Sequence, residues 1–512
     1  MEDYVYLQFG KNFEDTHSYK TMLFNSIPFL FFFPFVVLVY FLIPKVWRWV
    51  WLLAASYYFY MCWNPFYAFI LLGSTVITYV GGLLMDRADN AFSKKMILGI
   101  TAVLSIGLLV FFKYGSFIVD NVVSFLNILH IKIIRPEFDL LLPVGISFYT
   151  FRSISYLMDV YRGDVEAEKS FGSVALYVSF FLQLAAGPIE RAKNMLPQIH
   201  NPQPFEYERV KNGLLLMLWG LFQKLVIADR CAMLVNHVFA DYEAYRGFQI
   251  LTAILFFAVQ IYCDFAGYSD MAIGASMVLG FSPKQNFNKP YFATSIQDFW
   301  RRWHISLSSW FRDYLYIPLG GNRKGQVRKY LNVLIVFLVS GLWHGAAWNY
   351  IIWGALHGIY QIIGALTLPF REKARSLLKI NTETFSFRLY QQLMTFCLVC
   401  IAWVFFRAPT ASDGVNILWN MVREWNPWIF TDNSLFNLGL EAKNFRVAIF
   451  SIAVLFIVDL FRNDDKMRLR NLLSQQGIIF RWVVYFAVLF FIIIFGIYGP
   501  AYDASSFIYA GF

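Results

Sequence analysis

Residues 340–358 read SGLWHGAAWNYIIWGALHG. The run is apolar enough to sit in lipid, yet it carries His344, Asn349 and His357. Polar groups are costly inside a bilayer, so an imidazole there marks either a functional site or an obligatory partner contact. Gly341 and Gly345 bracket His344 and allow another backbone to approach closely. Trp343, Trp348 and Trp353 supply bulk nearby. Burial favours a neutral imidazole, which can take a proton from a hydroxyl and later return it. The competing reading of His344 is a helix–helix hydrogen bond. His357 lies thirteen residues on, well round the helix from His344, and the two should not share a face. His357 is read as structural, and Asn349 as a candidate polar neighbour of His344.

The rest of the chain extends the membrane reading. Of its 512 residues 58% are hydrophobic and only 15% charged, against about 25% charged in a typical soluble domain. Apolar runs approach the roughly 20 residues a bilayer-crossing helix needs at 27–44, 46–63, 66–85, 96–112, 173–186, 213–228, 250–263, 331–353, 388–406, 446–461 and 481–498. Shorter runs at 141–158 and 268–281 either span or dip in and return. The expected fold is an all-α polytopic membrane protein with about 11–13 membrane segments, re-entrant ones included. No Gly/Ser-rich or Pro-rich linker divides it, so residues 1–512 read as a single integral-membrane domain. Nothing behind the first apolar run resembles a signal-peptide cleavage site, and no removable leader is expected.

Charge placement is uneven. Residues 283–330 hold nine basic side chains (Lys284, Lys289, Arg301, Arg302, Arg312, Arg323, Lys324, Arg328 and Lys329) against Asp298 and Asp313. The positive-inside rule puts this loop in the cytoplasm. The acidic stretch 1–20 and the tail after Gly499 then face outward. In a chain embedded in lipid, anionic headgroups or a phosphorylated donor suit such a loop better than nucleic acid does. Within it, Trp300, Trp303, Leu307, Trp310, Phe311 and Tyr314 recur at three- and four-residue steps, predicting one basic amphipathic helix with a tryptophan stripe at the membrane interface or in a shallow re-entry. Pro318 and Gly320-Gly321 stop it. His304 sits at the edge of the stripe, one turn after Trp300, and points toward protein or bilayer.

Several chemistries are excluded. Cys397 and Cys400 form a CxxC one helical turn apart in an apolar run with no second ligand pair, which reads as packing. No HExxH, paired Cys/His set or carboxylate cluster suggests a metal, and no GxSxG elbow is present. GYSDMAIGASMVLG does not match a phosphate loop. No internal repeat is visible, which weighs against a transporter.

Five segments in order, LLPVGISFYTFRSISYLMDVYRGD, FLQLAAGPIERAKNMLPQI, IYCDFAGYSDMAIGASMVLGF, DFWRRWHISLSSWFRDYLYIPLGGNRKG and SGLWHGAAWNYIIWGALHG, resemble the membrane-bound O-acyltransferases, in particular the bacterial alginate O-acetyltransferase branch. The motif-bearing core covers about 141–360, and IAWVFFRAP among the C-terminal helices of 388–498 fits as well. Relatives in that branch often end in an aromatic-rich FIYFQF-like tail, whereas this chain ends SSFIYAGF. The resemblance implies a catalytic His344, with His304 as the second histidine, both lining a central tunnel or funnel. An acyl group, acetyl in the first instance, would pass from a cytoplasmic donor to an exported polysaccharide, with an extracytoplasmic SGNH-type acetyltransferase as partner. His344 either deprotonates the acceptor or carries the acyl group transiently, and His304 holds or polarises the donor. Arg301 and Arg302 are candidates for donor phosphates. Trp303 and Trp343 would shape the channel, and Asp264 and Asp270 would orient a histidine or stabilise the fold. No bound cofactor or metal is expected; acetyl-CoA or another acyl thioester enters as substrate. The implied location is a bacterial plasma membrane. Two other readings stand beside this one: D-alanyl transfer to teichoic acid, and a lipid-linked sugar transporter or flippase.

Overall fold

Polar caps cut the apolar runs into helices. Ser26, Asn64, Asn90 and Thr384 each precede a helix and accept a hydrogen bond from a backbone N–H of its first turn, satisfying donors that a helix start leaves open. A computed structural model describes residues 22–136, 142–184, 187–461 and 472–498. No strand occurs among the described residues, and seven helical segments are long and apolar enough to cross a membrane, with a bent pair making up to eight. The protein is an all-α, multi-pass membrane protein. The N-terminal stretch and the C-terminal tail whose charges were read above lie outside the described residues.

The described chain falls into two compact units. The first takes the residues before 186 together with 191–202. It contains α1 (Ile27–Leu42), α2 (Arg48–Met61), α3 (Pro65–Arg87), α4 (Ala91–Leu109), α5 (Gly115–Ile128), α6 (Ile146–Arg162), α7 (Phe171–Ser179), α8 (Phe181–Leu184) and α9 (Ala192–His200). A single π-helical turn joins α4 to α5, so 91–128 is one long apolar segment. The run 173–186 does not form the span expected of it. It breaks at Phe180 into α7 and α8, and every residue from Ser173 to Leu184 is buried in protein. Buried Arg152 on α6 explains the break: it donates to the carbonyls of Tyr177 (3.2 Å), Val178 (3.4 Å) and Gln183 (2.8 Å), supplying partners that an interrupted helix lacks.

The second unit carries α10 (Tyr207–Leu221), α11 (Asp229–Ala240), α12 (Gly247–Val278), α13 (Ile296–Arg302), α14 (Ile305–Phe311), α15 (Gln326–His344), α16 (Trp348–Leu366), α17 (Leu368–Leu377), α18 (Phe385–Arg407), α19 (Ala411–Arg423), α20 (Ala442–Phe461) and α21 (Ile478–Phe495). The runs 250–263 and 268–281 are one helix, α12, 32 residues long and thus about 48 Å. Most of it is buried all round, as a helix at the centre of a unit must be. Its tightest neighbour is α10. A Cβ on Gly220 would stand 2.5 Å from the Gly267 carbonyl oxygen, and one on Gly274 2.5 Å from that of Gly213. Two glycines seven residues apart on each helix therefore let the backbones touch.

Two expectations for the basic and histidine segments are corrected. The single span 331–353 is a helical hairpin: α15 ends at His344, residues 345–347 turn the chain, and α16 runs back along α15. Gly341 meets the Tyr350 carbonyl and Gly354 the Phe337 carbonyl at distances that leave no room for a side chain. Hydropathy is continuous across the turn, which is why the run resembles one helix. The tryptophan-striped helix is likewise two seven-residue helices, α13 and α14, parted at Trp303-His304. Trp300, Trp303, Leu307, Trp310 and Phe311 are buried within the unit, so the stripe packs against protein. The helix stops at Phe311, passing into a π turn before Pro318 is reached.

Candidate active site

His304 takes a left-handed backbone, φ 43° and ψ 54°, where the chain breaks between α13 and α14. Such a conformation in a residue with a Cβ costs about 1–3 kcal/mol and persists only where the surroundings impose it. Asn286, fully buried in the loop after α12, imposes it here. Its backbone carbonyl accepts from Ile305 N–H at 2.9 Å, and its side-chain oxygen from Ser306 N–H at 3.3 Å and Ser306 Oγ at 2.9 Å. The same oxygen lies 3.2 Å from His304 Nδ1, and the amide nitrogen donates to Ser269 Oγ on α12 at 3.1 Å. The imidazole, buried without exposure, meets Phe265 edge-on at 4.6 Å between ring centres. Its helices are too short to span, and burial pushes its pKa down to about 3, so the ring is neutral at physiological pH.

His344 is the last residue of α15 and is 1% exposed. Its ring touches Trp343 and Trp353 at 4.9 Å each and Phe406 of α18 at 5.4 Å. Trp343 in turn lies 6.1 Å from His304. The structure therefore brings His304, Trp343 and His344 together from two motifs about forty residues apart. His357 joins the same aromatic cluster, contrary to the expectation that it would face away from His344, because the hairpin folds α16 back over α15. Trp353 contacts both rings, 4.9 Å from His344 and 5.2 Å from His357. The Nδ1 of His357 accepts from Trp300 Nε1–H at 3.2 Å. Tryptophan only donates, so this lone pair is occupied and the proton sits on Nε2.

The other residues singled out from sequence occupy different places. Asn349 donates to the Ala408 carbonyl at 2.9 Å, tying the start of α16 to the end of α18. Asp264 pairs with Lys224 Nζ at 2.6 Å, and the same ammonium pairs with Asp229 at 2.8 Å. Asp270 accepts from Gln223 Nε2 at 3.1 Å. Lys224 and Gln223 lie on the π turn between α10 and α11, so both aspartates hold this turn against α12. Trp303 stacks on Phe299 at 5.5 Å and packs against Trp403 at 5.0 Å, in an aromatic layer beside the histidines. Arg301 is exposed. Arg302 pairs with Asp298 at 2.9 Å and lines a cavity of about 290 Å³ with Lys289, Phe292, Thr294, Arg388 and Asp459 among its walls. A smaller pocket shares Phe292 and Asp459 and reaches Tyr262, whose ring lies 6.2 Å from Trp303.

Two functional-looking residues escape a sequence reading. Lys224 had a signal: it is the only charge between Lys211 and Asp229 in an otherwise apolar run, and an ionisable group in such a run marks a buried partner. Asn286 had none, since asparagine in a polar loop is ordinary. Among the described residues no group of three or more His, Cys, Asp or Glu is placed to hold a metal ion.

The sequence pattern described as "MBOAT, membrane-bound O-acyltransferase family" matches residues 167–408. A probable alginate O-acetylase AlgI of Pseudomonas syringae pv. tomato is 37% identical over 453 residues, covering 87% of this chain and 84% of the relative. A peptidoglycan O-acetyltransferase of Helicobacter pylori is 38% identical over 83% of each chain. A teichoic acid D-alanyltransferase of Bacillus subtilis is 29% identical over 44% of this chain and 59% of its own.

Proposed function

The chain belongs to the membrane-bound O-acyltransferases and is an O-acyltransferase, and from that premise we propose that it moves an acetyl group from a thioester donor to a hydroxyl of an exported or cell-wall polysaccharide. The observation that carries this reading is the placement of two buried imidazoles against one indole, Trp343. A hydroxyl is a weak nucleophile until a base takes its proton. In this reading His344 either withdraws the proton as the oxygen attacks the thioester carbonyl or carries the acyl group between donor and acceptor. By the first route the C–S bond breaks, the imidazolium returns its proton to the departing thiolate, and an ester and a free thiol result. His304 is the second catalytic group, and both rings pack against Trp343. Trp353 and Phe406 keep water from His344, which protects an activated thioester from hydrolysis.

Arg302, Lys289 and Arg388 around the 290 Å³ cavity suit the phosphates of a donor such as acetyl-CoA; Arg301, exposed beside them, would add to the field. Trp303 lies 6.2 Å from Tyr262, which lines the smaller pocket that shares Phe292 and Asp459 with this cavity. Asn349, Asp264 and Asp270 support the site through the contacts given above. With loop 283–330 in the cytoplasm, the enzyme would sit in a bacterial plasma membrane, collect its donor inside, and deliver the acyl group outward to an SGNH-type partner. Acetyl is favoured over D-alanyl because two acetyl-transferring relatives align over more than four-fifths of the chain, against less than half for the D-alanyltransferase. Membership of an acyltransferase family sets aside a sugar flippase.

The test is purified enzyme in nanodiscs given radiolabelled acetyl-CoA and a polysaccharide acceptor. Wild type should transfer label, and His344→Ala should lose about 100- to 10,000-fold in rate while unfolding at a similar temperature. Equal transfer without His344 would sink the mechanism.

A further inference from the structure

The Asn286 side chain makes four contacts, and one of them fixes all the rest. A backbone N–H can only donate, so the Asn286 side-chain atom facing Ser306 N–H is the amide oxygen. The other end of the amide is then NH₂, as its bond to Ser269 Oγ requires. His304 Nδ1 therefore faces an oxygen at 3.2 Å, an atom with lone pairs and no hydrogen. Two lone pairs cannot meet at hydrogen-bond distance, so Nδ1 must carry the proton. A neutral imidazole has one N–H, and the remaining lone pair is then on Nε2.

We infer that Asn286 is a positioning residue that locks His304 in its Nδ1–H tautomer, making Nε2 a proton acceptor. A group that meets Nε2 must then be a hydrogen-bond donor, such as the acceptor hydroxyl that His344 is to deprotonate. The carbonyl oxygen of a thioester needs a donor and cannot be its ligand. The inference rests on the acyl-transfer reading for its meaning, but its geometry does not. The contrast with His357 sharpens it. There the Trp300 N–H occupies Nδ1 and forces the proton to Nε2, so the one lone pair of that ring is already used. Two buried histidines in one unit thus hold opposite tautomers, each dictated by a partner whose hydrogen-bonding sense is fixed. In His304 the fixed partner puts the lone pair on Nε2 instead.

The experiment uses full-length protein in nanodiscs with ¹⁵N-labelled histidine. The His304 resonances are assigned by their loss in His304→Gln. The inference requires a protonated Nδ1 and a bare Nε2 in wild type, and a spectrum with the proton on Nε2 would overturn it. Asn286→Leu removes the acceptor; His304 should then populate both tautomers, and acyl transfer should fall about 100-fold in kcat with KM for the donor changed much less. Unchanged tautomer populations in that variant would also overturn the inference. Asn286→Asp guards against a variant that merely misfolds. Its carboxylate keeps an acceptor at Nδ1 but favours the imidazolium, so activity should return at high pH with the acidic limb moved upward. If kcat falls equally in both variants at every pH, the role is structural. Should wild type transfer no acetyl while showing the Nδ1–H spectrum, the acyl-transfer reading fails and the tautomer assignment stands.

Discussion

His344 and His357 contact Trp353 at nearly equal distances, yet their substitution should have different consequences. His357→Phe leaves Trp300 Nε1–H buried without an acceptor, a loss of about 1–3 kcal/mol. It should lower the unfolding temperature in detergent while the folded fraction keeps its transfer rate. A variant as stable as wild type but inactive would instead move His357 into the chemistry. His304 makes a pH prediction. Its folded pKa of about 3 lies below the unfolded value near 6.5, so below that value the unfolded state binds the extra proton. Its contribution is complete above pH 6.5 and is lost as pH falls toward 3. Thermal unfolding followed from pH 7 to pH 4 should show a falling midpoint, and His304→Gln should make that fall shallower. An unaltered slope would mean that His304 is not the group titrating.

Elements meet through two devices here, glycine contacts and buried charge. On the α10–α12 face, a side chain at Gly220 would enter the Gly267 carbonyl and the Met271 backbone N. Gly220→Leu should therefore force α10 and α12 apart and abolish accumulation of folded protein. Gly99 has nothing within reach of an added Cβ, so Gly99→Ala should be tolerated; fluorescence-detected size exclusion of both variants checks the contrast. Between the π turn and α12, Lys224 pairs with Asp229 and Asp264. Lys224→Met leaves two buried carboxylates without that ammonium and should cost about 3–5 kcal/mol. Adding Asp264→Asn should recover part of this loss in the same unfolding assay. No recovery would show that the pair does not act as a unit.

For the whole molecule, the prediction concerns sidedness. If loop 283–330 faces the cytoplasm, a cysteine replacing exposed Arg323 should react with a membrane-impermeant maleimide in inverted vesicles and stay unreacted in sealed right-side-out cells. Labelling from outside would reverse the orientation and put the donor site on the wrong side. Much of the protein was legible in one dimension: its membrane nature, its all-helical class and its family. Those features depend on composition and on contiguous motifs, which a chain displays without folding. Less was visible wherever hydropathy stays constant through a turn. Nothing in 331–353 signals that α15 ends at His344, and nothing in 173–186 signals the break at Phe180, because both turns are paid for by partners distant in sequence. Gly354 leaves room for the Phe337 carbonyl to pack against it, and Arg152 donates to the carbonyls of the second break. The tautomer of His304 is the extreme case, since a proton's position on a ring depends on what faces it. Sequence alone determined the family, the helical class and the order of the histidine-bearing motifs, because these are contiguous in the chain; only the tertiary structure, by bringing Asn286 to one imidazole and Trp300 to another, decided which nitrogen of each holds the lone pair.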